Sequence, residues 1–313
     1  MREPGSGFGR QWISLCITEI QIRKEGMWLM PFNIEPYIHI SPEEIRVKIR
    51  NNEFNMPTAG MCQGYAQANL VVMPGIYADY FIEYAQNNPY ACPILEVLKG
   101  TPKTKDMAED GDITTDICEY YVYRNGALDD IVNDISGMWE QDFVGFLLGC
   151  SFSFEEALIK AGIEMRHLTQ KCFVPMFKTN IKTKKAGPFE GPLVCTMRPM
   201  TPENAKLACE ITRKFPYVHG TPIHIGSPED IGIEDVMNPD YGDAVEIREG
   251  EVPVFWPCGV TPQAAVENAK LPLVLTHSPG HMFITDIKNT ELNAFLESKG
   301  RRNDEKIDLE RNT

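Results

Sequence analysis

A strand-to-helix corner near residue 150 holds the densest group of residues suited to chemistry. The apolar run from Phe143 ends at Gly149. Cys150, Ser151 and Ser153 then lead into the helical pattern Phe154, Glu155, Glu156, Ala157, Leu158. Such a corner presents backbone N–H groups and the positive end of a helix dipole, a setting suited to a carboxylate. Cys150 or Ser151 there could be activated as a nucleophile. The plainer reading has Ser153 and Glu156 as a capping box and Cys150 as a small core residue. The serine-hydrolase elbow G-x-S-x-G is not matched, because Ser153 stands where its second glycine would be.

Arg198, in Cys195-Thr196-Met197-Arg198-Pro199, ends a strand-like segment before the helix start Thr201-Pro202-Glu203. Its planar fork suits a substrate carboxylate, and a surface ion pair is the competing use. Four of the six histidines form two close pairs, His219 with His224 and His277 with His281. Pro222 interrupts the first pair and Pro279-Gly280 the second, which excludes a helical zinc motif. The turn at Pro279-Gly280 leaves room for a divalent metal held by His277, His281 and Asp286, although no cofactor is firmly implied. Asp243 and Glu246 lie near an expected strand start, where they would point to opposite faces or be solvated acids. No Walker loop and no G-x-G-x-x-G is present, so a nucleotide cofactor lacks support.

The elements that must carry these residues are legible in outline. Ser41-Pro42-Glu43-Glu44 reads as a capped helix start. Residues 57–69 read as a glycine-shaped loop feeding a buried strand at Leu70 to Met73. A helix is expected over Ile76 to Gln86, a strand over Cys92 to Leu98, and a surface connection over 100–117. A hairpin follows at Tyr120 to Leu128 with Asn125-Gly126 as its turn. Thr261-Pro262 is expected to cap a helix over Gln263 to Lys270. Strands alternate with helical patterns, so the fold class is a mixed α/β one.

The bulk numbers are those of a globular chain: 313 residues, 43% hydrophobic and 24% charged. The formal charge of −14 disfavours nucleic acid and anionic membranes as partners. The longest apolar run is far short of a membrane span. Nine cysteines without a CxxC pair suggest reduced thiols, hence a cytoplasmic setting, with the mitochondrial matrix as the alternative. Residues 1–36 read as a variable extension, 37–297 as the functional domain, and 298–313 as a mobile charged tail.

Several motifs together resemble the D-glutamate cyclase family. They are Pro57 to Gly60 with Gly64-Tyr65 and Gln67-Ala68-Asn69-Leu70, then Gly149 to Glu155, then Met197-Arg198-Pro199. His224-Ile225-Gly226, Tyr241-Gly242-Asp243-Ala244, Gly250 to Trp256, and Pro279-Gly280-His281 with Thr285-Asp286 follow in family order. The resemblance spans about Ser41 to Lys288 and is to the short, bacterial-type hydro-lyase form. It implies conversion of D-glutamate to 5-oxo-D-proline and water. It also implies a three-layer α/β domain carrying a smaller two-layer α/β lobe, placed within about 160–235. Cyclisation needs a cation for the α-carboxylate, for which Arg198 is the candidate, and a base, for which His219, His224 or Asp243 would serve. The N–H groups of Ser151 to Ser153 would hold the side-chain carboxylate, and Tyr65, Cys150 or His281 would protonate the departing oxygen. Asn69 and Glu246 complete the candidate substrate contacts. The partner is a small amino acid or dicarboxylate, with a homo-oligomer left open. Two rival readings stand beside this one: a metal-dependent lyase or hydrolase, and a non-catalytic small-acid binding module.

Overall fold

The computed structural model describes residues 34–299. The extension expected over 1–36 and the tail over 298–313 lie outside them except at their inner ends. Helix α1 (Pro42–Arg50) begins as the sequence predicts, with the Ser41 hydroxyl accepting from the Glu44 N–H at 3.2 Å. Strand β1 (Tyr65–Pro74) is longer than the expected Leu70–Met73 and forms the centre of a seven-stranded sheet. Along one edge it pairs with β5 (Phe143–Gly149), which pairs in turn with β2 (Ile94–Lys99). Its other edge is shared. β11 (Phe283–Lys288) takes the first half and β10 (Val274–His277) the second, and β10 continues to the hairpin β3 (Tyr120–Arg124) and β4 (Ala127–Val132). Asn125 and Gly126 form the expected turn, both at positive φ.

A second sheet has four strands in the order β6 (Met176–Lys182), β7 (Pro192–Met200), β9 (Val252–Pro257) and β8 (His224–Ile225). Every named strand pairing is antiparallel. The class is therefore mixed α+β, as the alternating patterns imply.

Both faces of the large sheet are covered. Along β1, Ala66, Ala68, Leu70 and Val72 join one apolar cluster while Val71 and Met73 join another, as the two-residue period of a strand requires. The first cluster includes Phe154 and Leu158 of α3 (Phe152–Lys160), Ala205 and Ala208 of α5 (Pro202–Thr212), and Trp256 of β9. The second includes Phe81 and Tyr84 of α2 (Ala78–Asn87) and Ala265 and Val266 of α6 (Thr261–Ala269). One short helix, α4 (Arg166–Thr169), lies between α3 and β6 in the chain.

Two expectations change. Residues 100–117 are irregular in backbone, yet Met107, Ile113, Ile117 and Asp116 are fully buried rather than at the surface. Asp116 of this stretch receives Arg50 in two bonds of 2.7 Å, and Glu96 of β2 accepts from the N–H groups of Lys105, Asp106 and Met107. Helix α6 starts at Thr261, not Gln263. The Thr261 hydroxyl bonds both the N–H and the carbonyl of Val194 instead of capping.

Candidate functional site

Two polar residues in the apolar strand β1 locate the site. Gln67 and Asn69 are each 3% exposed, and buried amides need partners. Gln67 is tied to the 57–64 loop through the Thr58 hydroxyl (2.8 Å) and the Thr58 carbonyl (2.9 Å). Asn69 donates to the Gly149 carbonyl at 2.6 Å, and Gly259 lies so close to its amide that a Cβ there would sit 2.0 Å away. β10 and β11 leave a gap along β1 beside this point. Into it comes the His277 ring, whose Nδ1 accepts from the Leu70 N–H at 3.1 Å. Gln263 of α6 closes the same corner by donating to the His277 carbonyl at 2.8 Å.

The corner Gly149-Cys150-Ser151 enters α3 as expected, but its hydroxyls do not cap the helix. Ser151 Oγ accepts from Arg198 Nη2 at 3.2 Å, and Ser153 Oγ accepts from the Gln67 N–H at 3.2 Å. The capping box is therefore absent, because both serines serve neighbouring elements. The Ser153 and Phe154 N–H groups already bond the carbonyls of Cys150 and Ser151, so the Ser153 amide is not an open oxyanion donor. Burial pushes the Cys150 thiol far up, which keeps it protonated and unsuited to nucleophilic attack. Gly149 has no room for a side chain, since a Cβ would meet the Tyr217 carbonyl oxygen at 1.9 Å. Gly149→Ala is expected to lower stability by about 1–3 kcal/mol by overpacking and to displace the turn bearing His219. The urea midpoint of the variant measures this.

Arg198 is neither a surface ion pair nor an open clamp. On β7 it shares a face with Thr196, while Cys195 and Met197 point into a separate apolar cluster. The guanidinium is fully buried, 5.3 Å from the Phe154 ring and 5.6 Å from Trp256. Nε and Nη2 both bond Glu155 Oε1, Nη2 also reaches Ser151 Oγ, and Nη1 reaches Thr196 Oγ1 at 2.9 Å. Four of its five N–H donors are thus engaged. Burial alone would raise the Glu155 carboxyl, but His167 and Arg198 beside it outweigh burial and hold it at about 2. His167 Nε2 stands 3.4 Å from Glu155 Oε1, without hydrogen-bond geometry to it or to any other atom of the described residues.

His219 is the second buried imidazole at this junction. Its Nδ1 lies 2.7 Å from the Tyr90 carbonyl, which fixes the proton on that nitrogen. Nε2 has no hydrogen-bond partner among the described residues. The ring is fully buried. Burial chiefly, and the charge of Arg198 as well, push its pKa down to about 4 against the pull of the Tyr90 and Gly149 carbonyls. His219 is therefore neutral near pH 7, with a lone pair on Nε2. It is also held at φ 83°, a left-handed conformation that side-chain-bearing residues seldom adopt.

The remaining expected residues separate from this group. His224 lies on β8, half-exposed, with Nε2 on the Ser227 carbonyl at 2.7 Å. Tyr65 packs against the satellite cluster of Ile45, Phe54 and Met61. Asp243 is not in a strand; its Oδ2 accepts from the Phe173 N–H at 2.9 Å. Glu246 is exposed and pairs with Arg248 at 3.1 Å. The metal set fails because Asp286 receives Arg46 in bonds of 2.7 and 3.0 Å, plus the Glu109 N–H. His281 lies 4.0 Å from Glu119, and His277 is engaged by Leu70. Among the described residues, no three His, Cys, Asp or Glu side chains are grouped to hold a metal. A cavity of about 270 Å³ beside Phe177, Gly232, Asp235 and Asp240 shares no residue with the junction.

Sequence reasoning passed over His167, Gly259 and Gln263, and read Glu155 only as part of a motif. An acid in a first helical turn and a lone histidine carry no local signature, so nothing in the spacing singled them out.

Similarity to known proteins spans the same part of the chain. A family model described as D-glutamate cyclase matches residues 144–286, the stretch that holds Gly149, Glu155, His167, Arg198 and His219. A protein of Clostridium beijerinckii named "Putative hydro-lyase" is 51% identical over 257 residues, covering 82% of this chain and 98% of its own. "Putative hydro-lyase YcsI" of Bacillus subtilis is 52% identical over 81% of this chain and 99% of its own. A Geobacillus kaustophilus relative, "Putative hydro-lyase GK2103", is 52% identical over 81% and 97%. No helix among the described residues is long and apolar enough to cross a membrane.

Proposed function

This chain belongs to the D-glutamate cyclase family, and from that premise we propose that it is a hydro-lyase converting D-glutamate to 5-oxo-D-proline and water. The observation that carries the reading is His219, a buried neutral imidazole whose Nε2 lone pair has no partner among the described residues and which lies within the field of Arg198. Cyclisation starts from an ammonium and a carboxylate, so the amine must lose a proton before its nitrogen can attack. A neutral imidazole is the base suited to that step near pH 7. Arg198, fixed by Glu155 and flanked by Phe154 and Trp256, supplies a positive charge that needs no reorganisation as negative charge builds on the carbonyl oxygen. Its remaining Nη1 N–H and the Ser151 corner are the groups left to meet a substrate carboxylate. Holding amine and carboxyl in a bent conformer contributes several further kcal/mol, on the order of 7 or more in well-oriented intramolecular reactions.

Purified protein incubated with D-glutamate, and separately with L-glutamate, tests the reading by chiral chromatography. The expected result is 5-oxo-D-proline from the D-isomer alone, above the uncatalysed rate. Ligand-induced thermal stabilisation without product would instead point to a binding module.

A further inference from the structure

We propose that His167 is the acid that protonates the departing oxygen in this reaction, with Glu155 as its positioning residue. The inference rests on the cyclase reading above. His167 is 2% exposed and its Nε2 has no hydrogen-bond partner among the described residues. A buried polar nitrogen left unpaired is costly and persists where surrounding structure holds it. That hold is visible. Helix α4 has only four residues, yet the neighbouring Arg166, 1% exposed, bonds Glu164 at 3.1 Å, Glu251 at 2.6 Å and the Glu246 carbonyl at 2.7 Å. Thr169 Oγ1 adds a bond to Glu164 at 2.7 Å, and the His167 carbonyl accepts from Cys172 N–H at 2.9 Å. The segment is thus pinned on both sides of the ring.

Across from it, Glu155 Oε1 already accepts two N–H groups of Arg198. At 3.4 Å and off-line, it orients the imidazole by charge without capturing the Nε2 proton. The other candidate acids fit less well. Cys150 is a buried thiol engaged by its own corner, Tyr65 packs in a satellite cluster, and His281 faces Glu119.

His219 takes one proton from the substrate ammonium, and the amine nitrogen bonds the side-chain carboxylate carbon. Protonated His167 gives its Nε2 proton to one of the two oxygens, making a hydroxyl. His167 then takes the second proton from the new N–C nitrogen and passes it to that hydroxyl as the C–O bond breaks. Water leaves, the amide carbonyl forms, and solvent returns the proton on His219 to His167. No oxidant or cofactor enters.

His167→Gln tests this, with His167→Asn as a second variant of different length. The charged groups around the ring are Glu155 on α3, Arg198 on β7, and Arg166 and Glu164 on its own segment. The expected result is a fall in kcat of about 100- to 10,000-fold, the usual range for one proton-transfer group, with KM and the unfolding midpoint nearly unchanged. Either variant retaining wild-type kcat overturns the proposal. So does a loss in both that follows the unfolding midpoint, which marks a structural role. If wild-type protein makes no 5-oxo-D-proline, the cyclase reading itself fails and the donor falls with it.

Discussion

Glu155→Ala should destabilise the protein by about 3–5 kcal/mol, the usual cost of stripping one partner from a buried ion pair. Arg198 cannot escape to water, since it is fully buried between Phe154 and Trp256. Without Glu155 its charge would be left with the hydroxyls of Thr196 and Ser151 alone. Replacing both partners by apolar residues of similar volume, Glu155→Leu with Arg198→Met, should recover much of the loss, because the desolvation cost of each charge disappears with it. Urea unfolding of the two single variants and the double variant measures the coupling. Additive losses would mean that the pair does not act as a unit.

The second large effect is acid sensitivity above the ordinary carboxylate range. His219 and His277 are both held near 4 by burial, against an ordinary value of 6.5. In each case the unfolded chain binds a proton that the folded chain refuses. The stability they contribute is complete above pH 6.5 and is lost as pH falls toward 4. Each ring accounts for roughly 3 kcal/mol by linkage. Glu155, held at about 2, has the same sign at lower pH: its contribution is present above about 4.5 and is lost as pH falls through 2. Glu96 and Glu267, raised by burial, oppose it in the carboxylate range, so pH 6.5 to 5 is the cleanest window. The urea midpoint measured across that window should drop steadily, and a flat profile would contradict buried neutral imidazoles.

Local chemistry was legible in the sequence wherever one residue decides the outcome. Ser41 starts a helix because its hydroxyl reaches Glu44, and Asn125-Gly126 turns a hairpin because both accept positive φ. The corner at Gly149 was legible as a place. Its workings were not, because they depend on residues distant in the chain. Ser153 turned from capping to bond the Gln67 N–H, and Ser151 turned toward Arg198. Glu155 and Arg198 lie 43 residues apart, and only the packing of α3 on the smaller sheet brings them together. Residues 100–117 read as surface because acid content suggests solvent, whereas inside the fold Asp116 accepts from the Asp112 N–H and Glu96 of β2 from the N–H groups of Lys105 and Met107. The histidine pairs misled for a related reason. Proximity in sequence grouped His219 with His224 and His277 with His281, while the fold buries His219 within the field of Arg198 and puts His224 on a sheet edge.

The central claim is that the junction around His219 performs the cyclisation. It is tested most directly by the initial rate of 5-oxo-D-proline formation from D-glutamate in His219→Asn beside the wild-type protein. Asparagine tolerates the left-handed backbone and carries no titratable base. A fall of about 100-fold or more, with an unfolding midpoint close to wild type at pH 7, is the predicted result. Wild-type turnover in the folded variant would contradict the account and move the chemistry away from this junction.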